Sequence, residues 1–241
     1  MNVEFSIVTQ IRDESKRLKD WIIYHQKIGI NHFVFFLDNC SDNSEEVLNE
    51  LKRDNINILI FQANQFGSYP LNNDPTKYVN YDVVPRIKNS LYRGLKYVKE
   101  KFNHNDNHWV IFTEVDEYIV PQTKSNLSSI VINCLKNRIY IASYDFKCPF
   151  DLDIPVYNQT FCRWSDDTRK NGYAHGHKGY FSNRGKSLVK TNTFLKSEVD
   201  IHDADYSEYF QDDELLKINH YRNNGEMQIY DFEDKKIIEW L

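Results

Sequence analysis

Short apolar runs alternate with amphipathic segments along the first half of the chain. Strands are predicted at residues 3–8, 32–37, 56–61 and 109–112, where apolar residues alternate or follow one another without a break. After the first strand, apolar side chains recur every three or four residues, as on one face of a helix, and Gly29 is expected to end that helix. Strands that alternate with helices in this way predict an α/β fold, with a mostly parallel sheet flanked by helices. In such sheets ligands bind beyond the carboxyl ends of the strands.

The pattern changes halfway along the chain. A helix is predicted near residues 127–135 and a strand at residues 138–142, and a long segment rich in Asp, Gly, His and aromatic residues follows. We find no internal repeat and no low-complexity segment in the sequence. We therefore predict a single domain over residues 1–241, divided into halves 1–121 and 122–241. The second half is expected to elaborate the sheet, with loops suited to closing over a ligand.

Composition limits the classes of partner. The 241-residue chain has a formal net charge of −5 and a pI near 5.9, which argues against holding nucleic acid by bulk electrostatic attraction. Aromatic residues make up 15% of the sequence, and exposed rings suit stacking on flat ligands or on sugar faces. The four cysteines form no CxxC pair, and we find neither a signal peptide nor a long apolar run. We expect reduced thiols, a cytoplasmic location and no membrane span.

Three carboxylates directly follow the fourth predicted strand. Glu114, Asp116 and Glu117 stand between an apolar run that ends at Phe112 and another that begins at Tyr118. Carboxylates this close repel one another and cost desolvation energy, so a cation, a proton or solvent must relieve them. Glu114 and Asp116 can reach one hard divalent cation and leave sites on it for phosphate oxygens. A solvated turn with the acids facing outward fits the same spacing.

Other polar candidates stand at strand ends and in a late basic segment. Asp38 follows the second predicted strand, where it can accept hydrogen bonds from a base or a ribose or serve only in helix capping. Arg12 and Glu14 follow the first strand in the same way, and a surface cap is the alternative for them. Lys186 and Lys190 belong to a locally basic segment of an acidic chain, which suits a diphosphate as well as it suits a solvated hairpin.

Histidines late in the chain are candidates for completing a metal site begun by the carboxylates. His220 follows an apolar run at residues 215–218 and offers an imidazole ligand. His202 competes for that role. His175 and His177 are a third choice, in a glycine-rich segment that favours a loop.

In this order, these segments resemble the glycosyltransferases of the GT-A type, and most closely the family 92-like group related to family 2. The sequence supplies the matching segments as IRDESKRLKDWIIYHQKIGI, FLDNCSDNS, FTEVDEYIVP and INHYR. The resemblance implies a GT-A fold and transfer of a sugar, with inversion, from a nucleotide-sugar donor to an acceptor hydroxyl on a glycan or glycoconjugate. A UDP-sugar is the favoured donor, and a GDP-sugar is the alternative.

The resemblance also implies a metal site. Mn²⁺ or Mg²⁺ would lie near Glu114 and Asp116, with His220 as the preferred third ligand, and would stabilise the leaving nucleotide. This chain departs from the family in two places. Relatives more often carry Asp at the position of Glu114, so metal contact could rest on Asp116 alone. They also tend to continue with a Lys-Ser step after the His-Tyr pair, where this chain has Asn223 and Asn224.

The same resemblance also implies which residues bind the nucleotide. Asp38 would read the base, and the loop that carries Arg12 and Glu14 would line the nucleotide pocket. Lys186 or Lys190 would help to neutralise the diphosphate.

Inversion requires a carboxylate that deprotonates the acceptor hydroxyl. Candidates on the acceptor side are Asp145, Asp151, Asp153 and Asp166, and Asp151 is preferred because a rigid apolar frame precedes it. Two other functions compete with transfer. A non-catalytic nucleotide- or sugar-binding protein of the same fold is supported by Glu114 in place of Asp, and a metal-dependent phosphohydrolase would share the acid cluster.

Overall fold

The computed structural model contains strands from both halves of the chain, joined by helices. It describes residues 3–63, 83–102, 105–122, 126–132, 134, 137–141, 143–147, 162–163, 186–193, 210–211, 215–221 and 232–233. The strands are β1 (Glu4–Ile11), β2 (His32–Leu37), β3 (Ile58–Gln62), β4 (His108–Phe112), β5 (Glu117–Pro121), β6 (Arg138–Ile141), β7 (Ser143–Lys147), β8 (Cys162–Arg163), β9 (Lys186–Lys190), β10 (Phe210–Gln211), β11 (Leu216–Tyr221) and β12 (Phe232–Glu233). The helices are α1 (Ser15–Lys27), α2 (Ser44–Arg53), α3 (Val83–Lys101) and α4 (Leu127–Val131).

In the described part of the chain, seven strands form the main sheet, in the order β10-β6-β9-β4-β1-β2-β3. The pairings of β1 with β2, β1 with β4 and β2 with β3 are parallel. Strand β9 runs antiparallel to both of its neighbours, so the other six strands point in one direction. The mostly parallel sheet that the sequence predicts is therefore confirmed. Its register pairs Ile11 with Leu37 and Val8 with Phe112, which brings the carboxyl ends of β1, β2 and β4 to one edge.

Helices pack on both faces of this sheet because successive residues of a strand point to opposite sides. Phe33 and Phe35 of β2 join α1 and α2 in one hydrophobic core. Val34 and Phe36 of the same strand join α3 in the second core. A strand covered on both sides must be apolar at nearly every position, which explains the unbroken apolar run of β2.

Helix α1 buries the face that its periodicity predicts, and it anchors the strand that follows the acid cluster. The Trp21 indole donates a hydrogen bond to the carbonyl of Glu117 at 2.8 Å, and the Tyr24 hydroxyl donates one to the carbonyl of Ile119 at 2.9 Å. The helix ends at Lys27, and Gly29 then turns the chain with φ 110°, a left-handed conformation that glycine adopts without strain. Strand β5 is thus held in place by side chains from a helix about 95 residues earlier.

A second sheet, which has five strands among the residues that the structure describes, in the order β12-β8-β7-β11-β5, was not predicted from the sequence. Strand β11 lies in this sheet between β5, to which it is antiparallel, and β7, to which it is parallel. The register of β11 with β5 sets His220 opposite Glu117. Among the described helices, none combines the length and apolarity needed to cross a membrane.

Candidate functional site

The acid cluster lies at the carboxyl edge of the main sheet, where the chain leaves β4 and enters the second sheet. Glu114 and Asp116 occupy the short connection between β4 and β5, and Glu117 is the first residue of β5. The Glu117 amide donates a hydrogen bond to the Glu114 carbonyl at 3.0 Å, which closes the turn. The turn is tight because two strands of different sheets are joined by only four residues.

Glu117 is the buried centre of the cluster. Its side chain is 0% exposed, and its Oε2 accepts hydrogen bonds from Thr113 Oγ1 and from the Glu114 amide, both at 2.9 Å. Lys186 Nζ lies 3.2 Å from the same oxygen and 3.9 Å from Glu114 Oε2. Burial lowers the pKa of Lys186, but the charges of Glu117 and Glu114 raise it above its ordinary value. Lys186 is therefore a cation within the cluster, and it relieves part of the repulsion among the acids.

Sequence reasoning named Glu117 as one of three crowded acids but assigned it no place in the site. The only local signal was its position before an apolar run, which predicts burial for a residue that begins a strand. Its partner Lys186 is 69 positions away in sequence and could not be paired with it from local pattern. The Lys186 ammonium faces these carboxylates, and its contact with a diphosphate stays a prediction.

Glu114 and Asp116 differ in their electrostatic surroundings. Lys186 exerts the largest influence on Glu114 and lowers its pKa, yet burial together with the charges of Glu117 and Asp116 raises that pKa overall. Burial raises the pKa of Asp116, but a hydrogen bond and charge from His220 outweigh it, so the pKa of Asp116 is lowered. Of these two carboxylates, Asp116 is consequently the one more firmly held in its anionic form.

His220 is brought to the acids by strand β11, and it is nearly buried. Its Nε2 lies 3.3 Å from Asp116 Oδ2, and its Nδ1 lies 4.0 Å from Glu117 Oε1. The register of β11 with β5 decides this placement, since a shift of one residue would turn the imidazole to the other face of the sheet. Strand β11 thus brings His220 to Asp116 and Glu117, and its role as a metal ligand stays a prediction.

The donor atoms of this cluster fit a hard divalent cation. One oxygen from each of Glu114 and Glu117 and one ring nitrogen of His220 lie within 4.8 Å of one another. Carboxylate oxygens are the ligands that Mg²⁺ prefers, and Mn²⁺ also accepts imidazole. Glu117 Oε1 is buried and has no hydrogen-bond partner among the residues that the structure describes, so one acceptor beside these donor atoms is unsatisfied.

Asp38 lies at the same edge and is held by a network from two neighbouring elements. Arg86 of α3 contacts both oxygens of the Asp38 carboxylate at 3.2 Å, and Gln10 Nε2 donates to Oδ2 at 3.1 Å. Ser90 Oγ in turn donates to Gln10 Oε1 at 2.7 Å. Arg86 and Ser90 were missed in the sequence. Their spacing of four residues on a helix, which sets two polar side chains on one face, is the signal that would have found them.

The loop after β1 brings Arg12 and Glu14 to this edge. Asp13, with φ 55°, turns the chain there, and Arg12 Nε lies 4.0 Å from its carboxylate. Glu14 precedes α1, and Arg17 Nε lies 3.7 Å from its Oε2. Burial raises the pKa of Glu14 to about 7 against the opposing charge of Arg17, and the charge of Asp116 adds to the rise. The electrostatic influence of Asp116 indicates that Glu14 borders the acid cluster.

Lys190 lies at the opposite end of its strand from the acid cluster. It ends strand β9, whereas Lys186 begins that strand, so the two lie about 13 Å apart at a rise of roughly 3.3 Å per residue. Because β9 is antiparallel to β4, Lys190 pairs with Trp109 at the opposite end of β4. Its Nζ lies 5.7 Å from the centroid of the Trp109 ring. The two lysines were grouped in the sequence because both belong to a basic segment, but they lie at opposite ends of β9.

The predicted catalytic base Asp151 lies outside the described residues, as do Asp153, Asp166 and the alternative ligands His175, His177 and His202. Of the other base candidates, Asp145 belongs to β7, where its backbone pairs with His220. The choice of base stays a prediction.

Comparison with known sequences identifies relatives along nearly the whole chain. The family model for glycosyltransferase family 92 matches residues 2–239. A glycosyltransferase family 92 protein of Ricinus communis is 31% identical over 235 residues, which cover 91% of this chain and 35% of that protein. Another, of Oryza sativa subsp. japonica, is 35% identical over 52 residues, or 22% of this chain and 9% of that protein. The chain thus spans about a third of the length of the Ricinus relative.

Solved structures show weaker likeness. Glucosyl-3-phosphoglycerate synthase from Mycobacterium tuberculosis, crystallised with Mn²⁺, UDP and glucosyl-3-phosphoglycerate, is 10% identical with a TM-score of 0.40, over 79% of this chain and 58% of that one. HddC from Yersinia pseudotuberculosis is 11% identical with a TM-score of 0.42, over 91% of this chain and 93% of that one. Likeness at this level does not bear on the chemistry of the chain.

Proposed function

We propose that this chain, which belongs to glycosyltransferase family 92, transfers a sugar from a nucleotide-sugar donor to a hydroxyl group of a glycan or glycoconjugate. One observation carries the proposal: Glu114, Asp116 and His220 converge at the carboxyl edge of a mostly parallel sheet, the edge that also holds Asp38. Open α/β sheets bind their ligands at this edge. Glu117 and Lys186 are fully buried beside these residues, and burying charged groups costs free energy.

Glu114, Asp116 and His220 are the residues that would hold Mn²⁺ or Mg²⁺. When bound, such a cation supplies positive charge to the diphosphate as negative charge builds on the leaving nucleotide. Asp38 is the proposed acceptor of a hydrogen bond from the base, and a UDP-sugar is the proposed donor. The two-point contact with Arg86 supports this role, because it fixes the carboxylate in one orientation.

The proposed reaction inverts the configuration of the transferred sugar. The acceptor oxygen forms a bond to the anomeric carbon from the face opposite the diphosphate. The bond from that carbon to the diphosphate oxygen breaks, and its electron pair leaves with the nucleotide. The proton of the acceptor hydroxyl passes to a carboxylate, for which Asp151 is the candidate.

An isosteric substitution at the cluster tests the proposal. The purified chain is incubated with UDP-sugars and GDP-sugars and MnCl₂, and release of the nucleoside diphosphate is measured with and without a glycan acceptor. We expect Asp116→Asn to reduce turnover by about 10²- to 10³-fold, because it removes a charge that holds the cation at the diphosphate. The matched control is Asp54→Asn, the same change at an exposed residue directly after α2, and it should retain activity.

Two results would overturn sugar transfer and would favour its competitors. Nucleotide binding without turnover across the whole donor panel would support a non-catalytic binding protein. Release of inorganic phosphate from simple phosphoesters, with nucleotide sugars left intact, would support a phosphohydrolase.

A further inference from the structure

The two oxygens of the buried Glu117 carboxylate have different surroundings. Oε2 accepts hydrogen bonds from Thr113 and the Glu114 amide and contacts the Lys186 ammonium. Oε1 has no hydrogen-bond partner among the described residues, although the side chain is fully buried. The His220 Nδ1 atom lies 4.0 Å from it. That separation is longer than a hydrogen bond, so the two groups must approach by about 1 Å for an N–H on Nδ1 to reach Oε1.

The opposite ring nitrogen of His220 points to the side where the cation would lie. Nε2 is 3.3 Å from Asp116 Oδ2, so a cation held by Asp116 would lie on the Nε2 side of the ring and would replace the hydrogen bond that His220 gives to Asp116. A neutral imidazole carries one proton, and only the nitrogen without it has a lone pair for a metal. Histidines that bind metals almost always donate the other N–H to a carboxylate, a carbonyl or water, which fixes both tautomer and ring orientation.

We infer that Glu117 is a positioning residue for His220: its Oε1 accepts the Nδ1–H, so that the Nε2 lone pair is presented to the cation beside Asp116. Lys186 completes the arrangement, because its ammonium lies 3.2 Å from Oε2 and so offers an opposite charge to the fully buried carboxylate. This inference rests on the metal site of the proposed function and concerns how that site is assembled. Glu117 acts through His220 in this arrangement and need not touch the cation.

Paired substitutions isolate the role of Oε1. Glu117→Gln retains an amide oxygen for Thr113 and the Glu114 amide, but it replaces the acceptor facing His220 with an NH₂ donor. Lys186→Met is introduced with it, so that no unpaired charge is left buried and the side-chain volume is nearly kept. The double variant is titrated with MnCl₂, with and without UDP, by calorimetry. We expect Mn²⁺ affinity to fall by about 10- to 100-fold, as for other residues that orient a metal-binding histidine.

A thermodynamic cycle with His220→Gln distinguishes positioning from a general structural effect. Since Glu117 acts through His220, adding the paired substitutions to His220→Gln should cause no further loss of Mn²⁺ affinity. Losses that add, or unchanged affinity in the double variant, would overturn the inference. Lys186→Met alone is the control for the loss of the lysine. The Mn²⁺ affinity of this single variant should exceed that of the variant that also carries Glu117→Gln.

A second measurement uses the unmodified chain and stays decisive if the double variant does not fold. Long-range ¹H–¹⁵N NMR of the Mg²⁺-loaded protein, with His220→Gln to assign the signal, should find the proton of His220 on Nδ1. A proton on Nε2, or no Mn²⁺ or Mg²⁺ binding at all, would refute the inference. The readouts need no turnover, so a chain that binds Mn²⁺ through this arrangement but transfers no sugar would refute only the proposed function.

Discussion

Replacing Gly94 by alanine tests how closely helix α3 packs on the main sheet. Gly94 is buried on the face of α3 that meets β1, and a Cβ built on it would overlap Val8 Cγ1 and lie 3.1 Å from Phe36 Cε2. Val8 Cγ2 would lie 3.2 Å from the same Cβ, so both methyl groups of Val8 crowd it. Val8 is fully buried, so its methyl groups have little room to move aside.

Whether Gly94→Ala raises or lowers stability shows whether the space beside Gly94 is open or filled. Alanine is about 1 kcal/mol more favourable than glycine inside a helix, so Gly94→Ala would stabilise the chain if the space were open. Overpacking a core costs about 1–3 kcal/mol, and the overlap with a fully buried valine places this site at about 3 kcal/mol. The net expectation is therefore a loss of about 2 kcal/mol in the free energy of unfolding.

Equilibrium unfolding in urea, followed by fluorescence, measures this loss as a lower midpoint at an unchanged slope. The control is Lys96→Ala on the exposed face of α3, where the change should stay within about 0.5 kcal/mol. Val8→Ala in the Gly94→Ala background removes the methyl groups that the new Cβ strikes, so the two losses should sum to more than the double variant shows. Stabilisation by Gly94→Ala, or strict additivity with Val8→Ala, would refute the close packing.

Two further predictions concern buried polar groups. His25 donates from Nδ1 to the Trp21 carbonyl and accepts the Ile119 amide at Nε2, and burial lowers its pKa to about 3, with the hydrogen bond to Trp21 opposing the shift. In the unfolded chain the His25 imidazole takes up a proton below about pH 6.5, whereas in the folded chain it stays neutral down to about pH 3. The free energy of unfolding is therefore highest above pH 6.5 and falls between pH 6.5 and about pH 3, by about 2 kcal/mol at pH 5. Urea titrations should show that the free energy of unfolding falls less between pH 7 and pH 5 in His25→Gln than in the unaltered chain. An equal fall in both would contradict the role given to His25. Arg86→Ala should cost about 3 kcal/mol, because Asp38 is left as a buried unpaired charge, and adding Asp38→Asn should recover part of it. Equal stability of the single and double variants would show that this pair is not coupled.

Local pattern determined the elements that depend on neighbours along the chain. The apolar run of β2, the buried face of α1 and the turn at Gly29 follow from side-chain periodicity and backbone freedom, which act within a few residues. The position of Glu114 and Asp116 at a strand end followed from the same reading. Because parallel strands bring their carboxyl ends to one edge, the sequence also placed Asp38 near them.

The tertiary structure decided which distant residues meet. Lys186 reaches Glu117 and Lys190 does not, because β9 is antiparallel to β4, and nothing within β9 itself records that direction. The second sheet and its register bring His220 to Glu117, and the close approach of α3 brings Arg86 to Asp38. Contacts of this kind are set by the packing of whole elements whose sequence separation is large, so periodicity can identify each element but cannot assign its partners.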